Sequence, residues 1–205
     1  MEETQGLKPT TNQLGIRAGQ PAVILAPMEG ITDAPMRATL SRVGGYSHLV
    51  SEFIRVSVGV LPPKVFRAEV PEADHGFKTG AGTPVQVQLL GGHPERVALT
   101  AASALSLGAP GIDLNFGCPA PTVTGNDGGA TLLKYPARLE GIVAAVRAEV
   151  TRVAGAATPV SAKLRLGWDD PSAILENVQR AEAGGASWIT IHARTKLNGY
   201  QPPAF

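Results

Sequence analysis

The stretch Asp113-Leu-Asn-Phe-Gly-Cys-Pro119 decides how the rest of this chain is read. Its apolar residues read as a buried strand, and Gly117, Cys118 and Pro119 end that strand in a small turn at its mouth. Cys118 is the only cysteine in 205 residues, so it forms no internal disulfide and serves either packing or chemistry. A free cysteine is more often buried packing. The ends of strands in α/β folds are where reacting groups gather, and that favours chemistry here. Shortly after it, Gly125-Asn-Asp-Gly-Gly-Ala130 reads as a flexible loop able to fold over a ligand.

Outward from this strand the same pattern repeats. Short apolar runs at Ala22–Pro27, His48–Phe53, Pro84–Leu90, Gly111–Phe116, Pro159–Leu166 and Ser187–Ala193 read as strands. Helical stretches lie between most of them. Thr32 is the expected N-cap of Ala34–Val43, which Gly44-Gly45 stops. His93–Leu107 opens with Pro94 and ends at Gly108. Pro136–Val150 sets Leu139, Ile142, Val143 and Val146 on one face, and Pro171–Ala183 does the same with Ile174, Leu175 and Val178. No strand pair has a hairpin turn, so this is a βαβ rhythm and a parallel sheet. Glu29, Gln88, Cys118 and His192 stand at or near the ends of different strands, and a (β/α)8 TIM barrel gathers such groups on one rim. A doubly wound sheet calls for a Gly-x-Gly-x-x-Gly turn after its first strand, and Pro27-Met-Glu-Gly-Ile31 is not one. The expected fold is therefore α/β, a (β/α)8 barrel with six of its eight βα units counted.

Composition narrows the function. With 43% hydrophobic and 17% charged residues the chain reads as globular. No apolar run approaches the roughly 18 residues of a membrane span, and the polar, acidic start is no secretory signal. One cysteine and no export signal point to the cytoplasm. A formal net charge of +1 gives no general electrostatic grip on nucleic acid. His48, His75, His93 and His192 are scattered without ligand spacing, so no metal site is expected. Residues 1–20 read as a loose leader and 21–205 as one domain.

Seven blocks in order resemble the tRNA-dihydrouridine synthases, flavin enzymes that reduce uridine in tRNA. They are Leu25–Asp33, Ser51–Val56, Val85–Gly91, Asp113–Pro119, Gly128–Leu133, Ser161–Gly167 and Ile191–Thr195. Met28-Glu-Gly30 and Glu52-Phe-Ile-Arg-Val56 look most like the bacterial C-type branch, which points to a D-loop uridine with position 16 the candidate. The resemblance implies FMN as cofactor, NADPH or NADH as reductant and tRNA as partner, with no membrane and no metal, in a monomer. It implies that Pro27, Met28 and Glu29 line the flavin and that Gln88 bonds its pyrimidine edge. Lys163 would sit by its N1/C2 region, with His192 close to it. Cys118 would be the acid, Asn115 would help hold the uracil, and Arg55 and Tyr200 would touch tRNA. It also implies that the C-terminal strands and a helical tRNA-binding domain are absent from this chain, so that the segment alone binds flavin and tRNA weakly.

The residues themselves support part of this. Reduced flavin carries negative charge near N1, and an inward Lys163 would stabilise it; a lysine snorkelling from the strand end is the plain alternative. Alternation puts Gln86 and Gln88 on one face, so either could be mere polar lining. His192 reads equally as a core histidine, and Arg55 and Arg165 as rim charges. An acid needs a neutral thiol, and the immediate neighbours of Cys118 in sequence (Gly117, Pro119 and Ala120) offer no cation to ionise it. Two other readings stand beside this one: a flavin dehydrogenase of a free pyrimidine, and a non-catalytic RNA-binding remnant.

Overall fold

The structure is a computed structural model in which residues 12–17 and 19–204 are described. Six strands make one parallel sheet in sequential order: β1 (Ile24–Leu25), β2 (His48–Arg55), β3 (Val85–Leu90), β4 (Ile112–Asn115), β5 (Val160–Arg165) and β6 (Trp188–His192). Helices α1 (Ala34–Val43), α2 (Pro63–Glu69), α3 (Pro94–Leu105), α4 (Pro121–Thr124), α5 (Pro136–Ala154) and α6 (Ile174–Ala183) alternate with them. The result is a curled half-barrel of the expected (β/α)8 type.

Strand alternation builds two different surfaces. Val85, Val87 and Leu89 of β3, Ile112 and Leu114 of β4, and Val160, Ala162 and Leu164 of β5 are buried in one cluster with helix residues. On the helices, Val97, Ala101 and Ala104 of α3 and Leu139, Ile142, Val143, Val146 and Val150 of α5 complete that core. The other face carries polar groups in register. Gln88 lies opposite Asp113, Asp113 opposite Ser161, Asn115 opposite Lys163, and Arg165 opposite His192. A parallel sheet with both faces covered takes apolar residues on the helix side and reserves the barrel side for these groups.

Several boundaries differ from the sequence reading. Asp33, not Thr32, caps α1: its side chain accepts from Met36 N at 2.9 Å. The Thr32 hydroxyl instead accepts from Met28 N at 2.8 Å and closes the 28–32 turn. Pro171–Ala173 is a separate 3-10 turn capped by Asp170, and α6 begins only at Ile174. Helix α2 and the 3-10 turn Pro71–His75 occupy a proline-interrupted stretch where periodicity showed nothing. The expected loose leader is, over residues 12–17, a packed turn: Asn12 Oδ1 accepts from Leu14 N and Ile16 N, and Leu14 is fully buried. Leu14 packs against Gly111 at the start of β4, where an added Cβ would meet its Cδ1 at 3.2 Å. Residues 1–11 of that leader lie outside the described residues.

The first residue of β2 supplies a stability prediction. His48 is fully buried, tilts against Trp188 with 5.9 Å between ring centroids, and neither ring nitrogen has a hydrogen-bond partner. Burial pushes its pKa from 6.5 down to about 4; Gln86 and the Leu14 backbone pull the other way without forming bonds of normal geometry. Between those two values the unfolded chain binds a proton that the folded chain refuses, so stability falls as pH drops through the window and is flat above it. His48→Phe removes that loss together with two unsatisfied nitrogens. Its thermal midpoint should therefore gain on the wild type progressively as pH is lowered from 6.5 towards 4. A constant difference across the window would show that His48 does not titrate as described.

Candidate active site

Two adjoining cavities open at the C-terminal ends of the strands and share Glu29, Phe53, Cys118, Pro119 and Tyr200. The inner one, of about 320 Å³, is lined by Pro27, Met28, Gln88, Asn115, Lys163 and His192 besides those shared residues. The outer one, of about 740 Å³, adds Arg55 and the turn Ala120–Val123. All ten residues singled out from the sequence thus meet at one rim: nine line the inner cavity and Arg55 lines the outer.

Cys118 is half-buried, on a turn held from three sides. The Asn115 side chain accepts from Gly117 N at 3.0 Å and from Cys118 N at 2.9 Å. Ala130 N donates to Cys118 O at 3.0 Å. Arg165 Nε donates to Gly117 O at 2.8 Å. Burial pushes the thiol pKa up and Glu29 adds to this, while the Ala120 backbone N–H, Arg165 and Lys163 pull it down without prevailing. The cations that the immediate sequence lacks are therefore supplied by β5, yet the thiol stays neutral.

The glycine loop is tied to its surroundings. Arg138 pairs with Asp127 and its Nη2 donates to Gly92 O at 2.7 Å, which fastens the loop down. Gly129 has φ +56°, and a Cβ there would come within 2.7 Å of Cys118 O. The loop supports the cysteine turn from beneath, which explains its glycines by close approach rather than motion.

Lys163 is half-buried; burial lowers its pKa and the neighbouring Asp113 opposes that shift. Burial, then Arg165, Lys163 and Arg194, push His192 down to about 4. Arg194 Nη1 lies 3.1 Å from His192 Nε2, and a guanidinium can only donate, so the imidazole is neutral with its proton on Nδ1. Burial, with Glu52 and Glu69 nearby, raises the Glu29 pKa. Arg55 donates from Nη2 to Thr122 O at 2.7 Å, so one face of its guanidinium is already engaged. Tyr200 is 70% exposed and sits over Arg165, 5.3 Å from its Cζ to the ring centroid.

Two arginines went unrecognised as framework. Arg165 is 2% exposed rather than a rim charge, with Nη1 also donating to Thr195 O and Gly199 O at 3.0 and 2.8 Å. Arg37 is buried with Glu72 in a two-pronged pair, both bonds 2.8 Å, and donates to Thr32 O, which fixes the 28–33 loop at the cavity edge. Inward alternation from Lys163 was the one signal for Arg165. Arg37 had none, since its partner lies 35 residues away.

The family model for dihydrouridine synthases (Dus) matches residues 24–204. The chain belongs to the dihydrouridine synthase family. It is 50% identical over 182 residues to a tRNA-dihydrouridine(16) synthase of Aquipseudomonas alcaligenes, covering 89% of this chain and 56% of that protein. A tRNA-dihydrouridine(16) synthase of Shewanella oneidensis is 49% identical, with 89% and 57% covered. The chain thus spans little more than half the length of these relatives. Among solved structures, a 2,3-dimethylmalate lyase of the PEP mutase/isocitrate lyase superfamily aligns at TM-score 0.54 and 14% identity, covering 83% of this chain and 58% of that one. That likeness concerns the fold alone.

Proposed function

We propose that this dihydrouridine synthase chain carries the reducing site for a uridine of the tRNA D-loop, position 16, working with FMN and with NADPH or NADH as reductant. One observation carries the reading: a neutral, half-buried thiol at the rim of a cavity whose wall is rich in hydrogen-bond donors. The family and the printed names of its relatives supply the substrate class.

The donor set fits the proposed cofactor. The isoalloxazine ring presents carbonyl oxygens along its pyrimidine edge, and Gln88, Asn115 and Lys163 offer N–H groups to the inner cavity, opposite the backbone of Pro27–Glu29. The Lys163 ammonium is the charge that a reduced flavin needs beside it. Flavin, when bound, supplies the hydride that C6 of uracil receives. Cys118 Sγ gives its proton to C5, so hydride and proton together saturate the 5,6 bond, and solvent restores the thiol. The neutral imidazole of His192 adds polarity without charge. Glu29 and Tyr200, shared by both cavities, form the passage between ring site and solvent.

An RNA substrate also needs a backbone grip, because extracting a stacked base costs a few kcal/mol. Lys134 and Lys196, from the loops after β4 and β6, lie 3.6 and 4.4 Å from the Trp168 ring centroid on the same rim. Neither has a carboxylate partner among the described residues. They are available to phosphates. This local patch supports an RNA partner where the net charge of the chain does not.

The test is an assay of the protein expressed from its complete gene with FMN, NADPH and an unmodified tRNA transcript. Mass spectrometry of nuclease fragments should find the mass gain of two hydrogens at position 16. Reduction of a free pyrimidine but not of tRNA would replace this reading with that of a free-base dehydrogenase.

A further inference from the structure

A single chain of hydrogen bonds crosses the barrel interior and ends at the cysteine turn. Gln88 Nε2 donates to Asp113 Oδ2 at 2.6 Å, and Ser161 Oγ donates to Asp113 Oδ1. Asn115 Nδ2 donates to Gln88 Oε1 at 2.9 Å, and Asn115 Oδ1 accepts both Gly117 N and Cys118 N. At the far end Gln86 Nε2 donates to Ser161 Oγ at 3.0 Å. Asp113, Gln88, Gln86 and Ser161 are all buried.

The direction of this chain is set at both ends. Burial raises the Asp113 pKa while Gln88, Ser161 and Lys163 pull it down, and both of its oxygens accept here, from Gln88 Nε2 and Ser161 Oγ. A group that accepts at both oxygens has no hydrogen to give, so Gln88 must turn its nitrogen to Asp113. The Gln88 oxygen then faces Asn115, which must answer with its own nitrogen. At the other end, the Gly117 and Cys118 backbone N–H groups donate to the Asn115 side chain, which must therefore turn its oxygen to them. Each amide could otherwise flip; here neither can. Asn115 Oδ1 is saturated by two donors, so the atom left to face the cavity is an N–H. The second hydrogen of Gln88 Nε2 is likewise unspent. A wall of this kind fits a ring edge of carbonyl oxygens and is mismatched to an exocyclic amine.

We infer that Asp113 is a positioning residue: through Gln88 it fixes the polarity of the Asn115 amide, which both presents a donor to the cavity and clamps the Cys118 turn. This goes beyond the proposed function and does not depend on it, because it concerns the empty-handed protein and is read without flavin or RNA. A merely structural Asp113 would loosen the whole barrel, whereas this one acts along one line to one thiol.

Cys118 is the only cysteine in these 205 residues, so its alkylation is read on the one peptide that carries it. In the full chain, alkylation of Cys118 by iodoacetamide reports the turn, and nitrogen-15 NMR of the Asn115 side chain reports the amide. In the wild type the Asn115 side-chain hydrogen bonded to Gln88 Oε1 should exchange with solvent at least about tenfold more slowly than an exposed amide, as expected for a bonded group. Free exchange there would refute the inference with no variant needed. Asp113→Ala should speed alkylation about tenfold and abolish the protection. Gln88→Met, cutting the chain at its middle, should match Asp113→Ala and decides the matter if that variant fails to fold. Ser161→Ala removes a buried hydrogen bond of the same network but leaves the line from Asp113 to Cys118 whole, so its alkylation rate should be that of the wild type. Equal acceleration in Ser161→Ala and Asp113→Ala, or none in Gln88→Met, would overturn the assignment.

Discussion

Replacing Cys118 by Ala in the protein expressed from its complete gene should cut uridine reduction by about 10³-fold, the ordinary worth of a positioned general acid. Flavin binding and flavin reduction by the nicotinamide should be unchanged, because Gln88 and Asn115, which face the ring site, are held by Asp113 and by backbone N–H groups and not by Sγ. The loss must therefore appear in the reoxidation of reduced flavin by tRNA, measured by stopped-flow absorbance. Burial holds the thiol pKa above its ordinary value against the pull of Arg165 and Lys163, which fixes the sign of the pH effect. The proton is present through the neutral range, and the wild-type rate should fall only on the alkaline side of the usual thiol value. Cys118→Ala should lack that alkaline limb. Near-normal turnover in the variant would remove Cys118 from the chemistry, and an acidic instead of alkaline limb would mean that thiolate is the working form.

What could be read from the sequence, and what could not, divides along a physical line. Strand alternation was legible because the helix-facing positions, such as Val85, Val87 and Leu89, are uniformly apolar. Polar intrusions into that pattern, Gln88, Asn115 and Lys163, stood out for the same reason and meet at one cavity. Cross-strand register is not written in any single strand. The line from Asp113 through Gln88 to Asn115 joins residues 25 and 27 apart, so Asp113 passed as part of a block and not as an agent. The Gly125–Ala130 loop reads as mobile by composition, yet its glycines answer the close approach of Cys118 O and its Asp127 is tied to Arg138. Leu14, one apolar residue in a polar leader, has no periodicity to announce that it is buried. Composition reports what a segment can do alone, and these segments take their conformation from distant partners.

Arg165→Leu should be the most damaging substitution outside the reacting groups, because one guanidinium holds two loops that no other side-chain hydrogen bond joins among the described residues. Its Nε binds Gly117 O beside the cysteine, and its Nη1 binds Thr195 O and Gly199 O in the loop that carries Tyr200. Leucine fills much of the volume and leaves three carbonyls without a donor. Charge-assisted bonds of this kind, lost from a buried position, cost about 3 kcal/mol in all. In a chain of this size that lowers the thermal midpoint by about 6–12 °C. The functional loss should exceed what stability explains: freeing the Cys118 turn from the Tyr200 loop misplaces acid against ring, and displacements near 1 Å cost about 100-fold in rate. Arg165→Lys separates the two effects. An ammonium keeps the charge beside Lys163 and His192 but, as a point donor, cannot span the fork of carbonyls, so it should recover part of the stability and little of the rate. Calorimetry and tRNA turnover on both variants check this together. If Lys restored full turnover, the charge of Arg165 and not its bridging geometry would be what the site uses; if Leu left the midpoint unchanged, the two loops would be held by something else.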